Sequence, residues 1–213
     1  MHTQPRTRTR VLSALALSLA LGGVLGACGD DTDPSETAQV STTEHNAADV
    51  AFASDMIQHH AQALSMVDLT LDRDLDPEVQ GLAEDIRAAQ GPEIETMADW
   101  LTTWGEDVPE TMRDHVNSGH DTGDMSESLE GMDGMDEMPG MMTADDMSTL
   151  ENASDAEFQD MWLQMMVEHH EGAVEMAGTE QEDGQFKAAV DLAGQIVDSQ
   201  TQEIDTMKSL LDS

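Results

Sequence analysis

The chain has 213 residues, with 45 Asp and Glu against 8 Lys and Arg and a formal charge of −37. A field of that sign repels phosphate, which excludes nucleic-acid binding and electrostatic adsorption to anionic lipid, and it suits a metal ion or a cationic partner. Apolar mass comes from Ala, Leu, Val, Ile and 17 Met, with three Phe, three Trp and no Tyr, a composition poor in the alternating β-branched and aromatic runs of a sheet.

The N-terminus reads as a removable segment. Arg6, Arg8 and Arg10 precede an apolar stretch from Val11 to Val24, followed by Leu25-Gly26-Ala27-Cys28. The stretch is too short to span a bilayer and ends in small residues, as a secretory signal does. Leu-Gly-Ala-Cys resembles a bacterial lipobox, which implies a signal peptide over residues 1–27, cleavage before Cys28 and a lipid on its sulfur. Cys28 is the sole cysteine, so the mature chain would hold neither free thiol nor disulfide, which suits an oxidising compartment outside the cytoplasm. The expected location is the outer face of the cell membrane, reached only through that lipid.

Residues 28–45 are polar and read as a flexible tether. A helical pattern runs from about Asn46 to Leu71. Asp76-Pro77 supplies a cap and first turn for a second helix, and Gly105 ends it after Trp104, giving a hairpin over 46–105. Residues 106–153 form a Met-rich connection in which Met132, Met135, Met138 and Met141 recur every third residue with Met142 adjacent. Gly131, Gly134, Pro139 and Gly140 argue against a regular helix there. Ser154-x-x-Glu157 has the pattern of a capping box for a third helix to about Gly178, and a fourth covers roughly Gly184 to Leu211, giving a second hairpin over 154–213. The expected fold is an all-α four-helix bundle, two tandem hairpins joined by one long crossover.

The hairpins repeat each other at a fixed offset of 110 residues. Met56-Ile57-Gln58-His59-His60-x-x-Ala63-x-x-Met66 with Gln90-x-x-Glu93-Ile94-x-x-Met97 corresponds to Met166-Val167-Glu168-His169-His170-x-x-Ala173-x-x-Met176 with Gln200-x-x-Glu203-Ile204-x-x-Met207. Fixed-offset self-similarity marks two copies of one structural unit. At 100° per residue, Phe52, Met56, Ala63 and Val67 share a stripe of the first helix with His59 and His60 on its flanks, and Ile86, Gln90, Ile94, Met97 and Leu101 share a stripe of the second beside Glu93. Polar groups on such a stripe must bind one another or a cation. Met at helical spacing is ordinarily core filler. Pro92 is expected to kink the second helix and free a carbonyl; the second copy has Gln202 there. If His59 and His169 are ligands, affinity is expected to fall as pH drops through the imidazole range.

The Met-rich connection adds a second signal. Thioethers are neutral and soft, suiting Cu(I) and Ag(I) over Mg²⁺, Ca²⁺ or Zn²⁺, and His115 and His120 stand nearby.

The residues from Phe52 to Met66, from Gln90 to Trp100, and the run from Met141-Met142-Thr143-Ala144-Asp145-Asp146-Met147 through His169-His170-Glu171-Gly172-Ala173-Val174-Glu175-Met176 resemble the CopM-like extracytoplasmic family, whose domain is called domain of unknown function 305. The resemblance covers roughly residues 46–211. It implies a ferritin-like four-helix bundle that binds copper or silver through Met and His. Carried over by position, the metal candidates are Met56, His59, His60, Met66, Gln90, Glu93 and Met97, with Met166, His169, His170, Met176, Gln200, Glu203 and Met207. Met132, Met135, Met138, Met141 and Met142 join them on thioether chemistry.

The expected function is a lipid-anchored Cu(I) or Ag(I) binding protein that buffers the ion or passes it to a copper-accepting envelope protein, without enzymatic activity. Two alternatives stand beside it. A metal-free envelope structural module would use the same His, Gln and Glu to hydrogen-bond across the seam. A di-metal carboxylate oxidase would want Glu-x-x-His on two helices, and Glu168-His169 has the wrong spacing.

Overall fold

The computed structural model describes residues 40–71, 73–113 and 138–213, whose regular elements are helices joined by turns and irregular segments. The helices are α1 (Ala47–Asp68), α2 (Pro77–Trp104), α3 (Ala144–Glu151), α4 (Asp155–Asp183) and α5 (Lys187–Leu211). Cys28, His115, His120, Met132 and Met135 lie outside the described residues. Among the described residues, no helix is long and apolar enough to cross a membrane.

Local chemistry sets the helix ends. Asn46 caps α1 in a complete capping box, its side chain accepting from the Ala48 and Asp49 amides while Asp49 accepts from Asn46 N–H. Asp76 caps α2 ahead of Pro77, and Gly105 closes it at φ 80°, a left-handed conformation that favours glycine. α2 runs without interruption through Pro92. The carbonyl freed by Pro92 belongs to Ala88, and both residues are exposed, where a carbonyl without a helical partner costs little. α4 continues past Gly178 to Asp183, because the true stop is the Gly184–Phe186 turn. There Asp49 Oδ1 accepts from the Gln185 and Phe186 amides at 3.0 and 2.8 Å. Ser154 does cap α4 by position, but its hydroxyl bonds the Glu157 carboxylate and makes no side-chain bond to a main-chain amide.

Two further departures concern the connection and the tether. α3 lies inside the stretch expected to be non-helical, opened by a capping box between Thr143 and Asp146. The end of the tether is docked: Ser41 N donates to Gln185 O at 2.6 Å, Lys187 N donates to Ser41 O at 2.7 Å, and the His45 ring stacks on Trp104 with centroids 4.4 Å apart.

α1 pairs with α2, α4 with α5, and α1 packs on α4. The α1–α4 contact is antiparallel, since Asn46 Nδ2 donates to the Asp183 carbonyl at one end and Trp162 Nε1 donates to the Met66 carbonyl at the other. The core divides into two apolar clusters. One gathers Ala63, Met66, Val67, Ile86, Trp162, Met166 and Met207; the other gathers Phe52, Met56, Met97, Ala173, Ala177 and Ile196. Repeat-related residues fall in opposite clusters (Phe52 against Trp162, Met56 against Met166, Ile196 against Ile86), so the two hairpins are related by a pseudo-twofold.

Candidate metal centre

Each long helix contributes to one cluster near one end and to the other cluster near the opposite end. Between the two it places its polar pair: His59 and His60 on α1, Gln90 and Glu93 on α2, His169 and His170 on α4, Gln200 and Glu203 on α5. The four histidines are wholly buried and the two glutamines nearly so. The centre of the molecule is therefore a polar layer held between two apolar ones.

The hydrogen bonds of this layer repeat with the sequence. His60 Nε2 lies 2.7 Å from Glu93 Oε2, and His170 Nε2 lies 2.8 Å from Glu203 Oε2. A carboxylate accepts, so each Nε2 is the donor. His59 Nε2 lies 3.1 Å from the Pro139 carbonyl, which also only accepts. In the neutral ring of His59 the lone pair is then on Nδ1, and Nδ1 of His59, His60 and His170 is buried without a hydrogen-bond partner. Neither nitrogen of His169 has a well-aligned partner, and Gln90 Nε2, Gln90 Oε1 and Gln200 Oε1 are likewise unmatched. A buried polar atom without a partner costs about 1–3 kcal/mol. A histidine whose other nitrogen donates to a carboxylate or a carbonyl is the arrangement of metal-ligating imidazole.

The rings of His59 and His169 meet at the pseudo-twofold, with centroids 3.8 Å apart and planes inclined by 40°. Burial, then the neighbouring His60 ring, lowers His59 to about 3. Burial, then His59, holds His169 well below the usual imidazole range, and the nearby His59 carbonyl offsets a little of this. Both rings are neutral, with lone pairs free for a cation.

The thioethers divide. Met56, Met66, Met97, Met166 and Met207 are fully buried within the apolar clusters, whereas Met176 is half-buried at the edge of one. Met142 is buried in the core, and Met138 and Met141 are half-buried. Among the described residues, no three His, Cys, Asp or Glu side chains gather as a metal-binding group. The layer supplies only Glu93 and Glu203 as carboxylates, each spent on a histidine. A di-metal carboxylate site, with a Glu from each of four helices, does not fit these residues.

The turn that carries Pro139 is held by residues that the two copies do not share. Gln62 reads the main chain of Met142 in both directions, its Oε1 accepting from Met142 N–H at 2.7 Å and its Nε2 donating to Met142 C=O at 2.9 Å. Gly172 is the counterpart of Gln62 at the 110-residue offset, and a Cβ there would collide with the Pro139 carbonyl. Gly140 adopts φ 74° against the α4 backbone. The mismatch of Gln62 with Gly172 was the available signal.

A family model described as domain of unknown function (DUF305) matches residues 49–211. The chain belongs to the DUF305 family. A DUF305 protein from Streptomyces coelicolor, described as secreted, is similar at 34% identity and a TM-score of 0.63, the match covering 78% of this chain and 92% of that one. CopM in its Cu(I)-bound form is similar at 25% identity and a TM-score of 0.58, covering 77% of this chain and 95% of that one. CopM co-crystallised with silver is similar at 25% identity and a TM-score of 0.57, with the same shares covered. No curated protein matches the chain.

Proposed function

We propose that this DUF305 protein binds monovalent copper or silver in the polar layer, outside the cytoplasm, and buffers the ion or hands it to a copper-accepting envelope protein. The reading takes residues 1–27 as a signal peptide, Cys28 as the lipid attachment point and the chain as a carrier rather than an enzyme. The observation that carries it is the set of buried histidines whose Nε2–H is spent on Glu93, Glu203 or Pro139 while Nδ1 stands unpartnered. Neutral imidazole and thioether suit Cu(I) and Ag(I), which need no third carboxylate. CopM, of similar fold, is known in Cu(I)-, Cu(II)- and Ag-bound forms, which supports copper or silver as the ion.

The test is an anaerobic Cu(I) competition titration of the purified chain beside His59→Gln/His169→Gln. The expected result is tight binding by the first and a loss of at least about tenfold in the second, the effect of one ordinary donor contact. Equal affinity in both, with the fold intact by circular dichroism, rejects the layer as the site. Cys28→Ser should release the protein from the cell surface if the cysteine carries the anchor.

A further inference from the structure

The four histidines of the polar layer are sealed from water, and the Pro139–Met142 turn covers the layer at His59. On the outer side of that turn lies a cleft of about 350 Å³, lined by Met141, Met142 and Met165 with Asp146, Glu168 and Glu171. Pro139 also lines this cleft while its carbonyl meets His59 Nε2 at 3.1 Å. One turn of backbone therefore separates the cleft from the histidines.

Three features make the cleft more than a gap. The turn is fixed rather than draped, since Gln62 holds both main-chain groups of Met142 in a buried position and Gly172 admits Pro139 against α4. The two copies also differ where the turn docks: Gln62 faces Gly172 across the repeat, and Asp55 in the first copy becomes Met165 in the second. A thioether thus stands outside the repeated ligand set and lines the cleft with Met141. Finally, the rim is acidic. Lys208 bonds one oxygen of Glu171 at 2.8 Å, and no basic residue lines the cleft itself. Carboxylates at the rim raise the local concentration of any cation, while neutral thioethers hold only soft ones.

We infer that this cleft is an access site for soft monovalent cations, where Met141 and Met165 take Cu(I) or Ag(I) before it reaches His59 and His169. The inference rests on the reading of the layer as the copper site. The ion passes from thioether to imidazole with no change of oxidation state. Movement of the Pro139 carbonyl off His59 Nε2 opens the way.

Silver, which is redox-inert, is the probe. The purified chain is labelled with ¹³C at the methionine methyl groups, and Met141 and Met165 are assigned through Met141→Leu and Met165→Leu, swaps of similar volume that cores tolerate. In His59→Gln/His169→Gln, one equivalent of Ag(I) is expected to shift the Met141 and Met165 signals saturably. In the chain with its histidines intact, Met141→Leu/Met165→Leu is expected to slow Ag(I) uptake from a competing chelator about tenfold. Signals at Met141 and Met165 that stay fixed while other methionines shift overturn the inference, as does an unaltered uptake rate in a double leucine variant whose thermal melt matches the parent. Failure of the copper reading looks different: replacing the histidines then leaves silver affinity unchanged, whatever the cleft methyls do.

Discussion

His59 donates its Nε2 proton to a carbonyl and so presents Nδ1 inward, and Glu93 and Glu203 impose the same choice on His60 and His170. If those carboxylates orient ligands, Glu93→Gln and Glu203→Gln should each weaken Cu(I) binding about 10–100-fold, measured by competition titration, with little change in helical content. A metal-free hydrogen-bonded core predicts instead a drop in thermal stability with no change in affinity. The pH response also follows from the residue environment. His59 is held down to about 3 and His169 well below the usual range, chiefly by burial, so neither gains a proton where free imidazole does. An affinity carried by these two rings should stay level between about pH 8 and pH 5 and fall only in stronger acid. This reverses the sequence-based expectation of a fall through the imidazole range, because the stripe does not reveal how completely the two rings are buried. Titrations across that interval decide it: a drop centred near the free-imidazole pKa would mean that the rings are hydrated in solution.

At the scale of elements, the four long helices were legible because their signals are local. Apolar spacing, Asn46, Asp76-Pro77 and Gly105 need no knowledge of the rest of the chain. The failures share one cause, a partner distant in sequence. Gly178 reads as a helix stop, yet space is open around it, and the turn that ends α4 takes its acceptor from Asp49 on α1. α3 was hidden by the Gly- and Met-rich stretch before it, although Thr143-x-x-Asp146 is itself a capping pattern. Of the candidate site, the repeated His, Gln and Glu were readable from the offset; the Pro139 carbonyl, Gln62 and Gly172 were not, since each acts through the main chain of another segment. Gln62→Leu tests that coupling. It leaves the Met142 N–H and C=O buried without partners, at about 1–3 kcal/mol each, so chemical denaturation should show a loss of at least about 2 kcal/mol. It should also free the turn and speed metal exchange at His59, an effect that a purely structural role would not produce.

Over the whole molecule, charge is the dominant stress. Arg73, Arg87, Arg113, Lys187 and Lys208 are each already paired with a carboxylate, so most of the acidic surface is uncompensated. Adding salt should raise the melting temperature by screening that repulsion. Two carboxyls are handled differently, since burial raises Asp55 as well. Glu180, buried beneath the α1–α4 groove beside Asp49, is pushed up to about 9, first by burial and then by the Asp49 and Asp183 carboxyls. The folded chain therefore keeps a proton that the unfolded chain gives up near the ordinary carboxyl pKa. Its stabilising effect is fully present in acid and is lost as pH rises toward 9. His59 and His169 act in the opposite sense: the unfolded chain takes up protons that the folded rings refuse, so stability falls as pH drops below the ordinary imidazole pKa toward 3. The two effects oppose each other in weak acid, and above neutrality that of Glu180 is left alone. Thermal melts from about pH 6.5 to about pH 9 should show a falling transition temperature in the parent chain. Glu180→Gln keeps a neutral donor facing Asp49 and should remove most of that slope while preserving stability at the acid end. A slope unchanged in the glutamine variant would place the alkaline sensitivity in the general acidic surface, and it would then be suppressed by salt, which a buried carboxyl largely escapes.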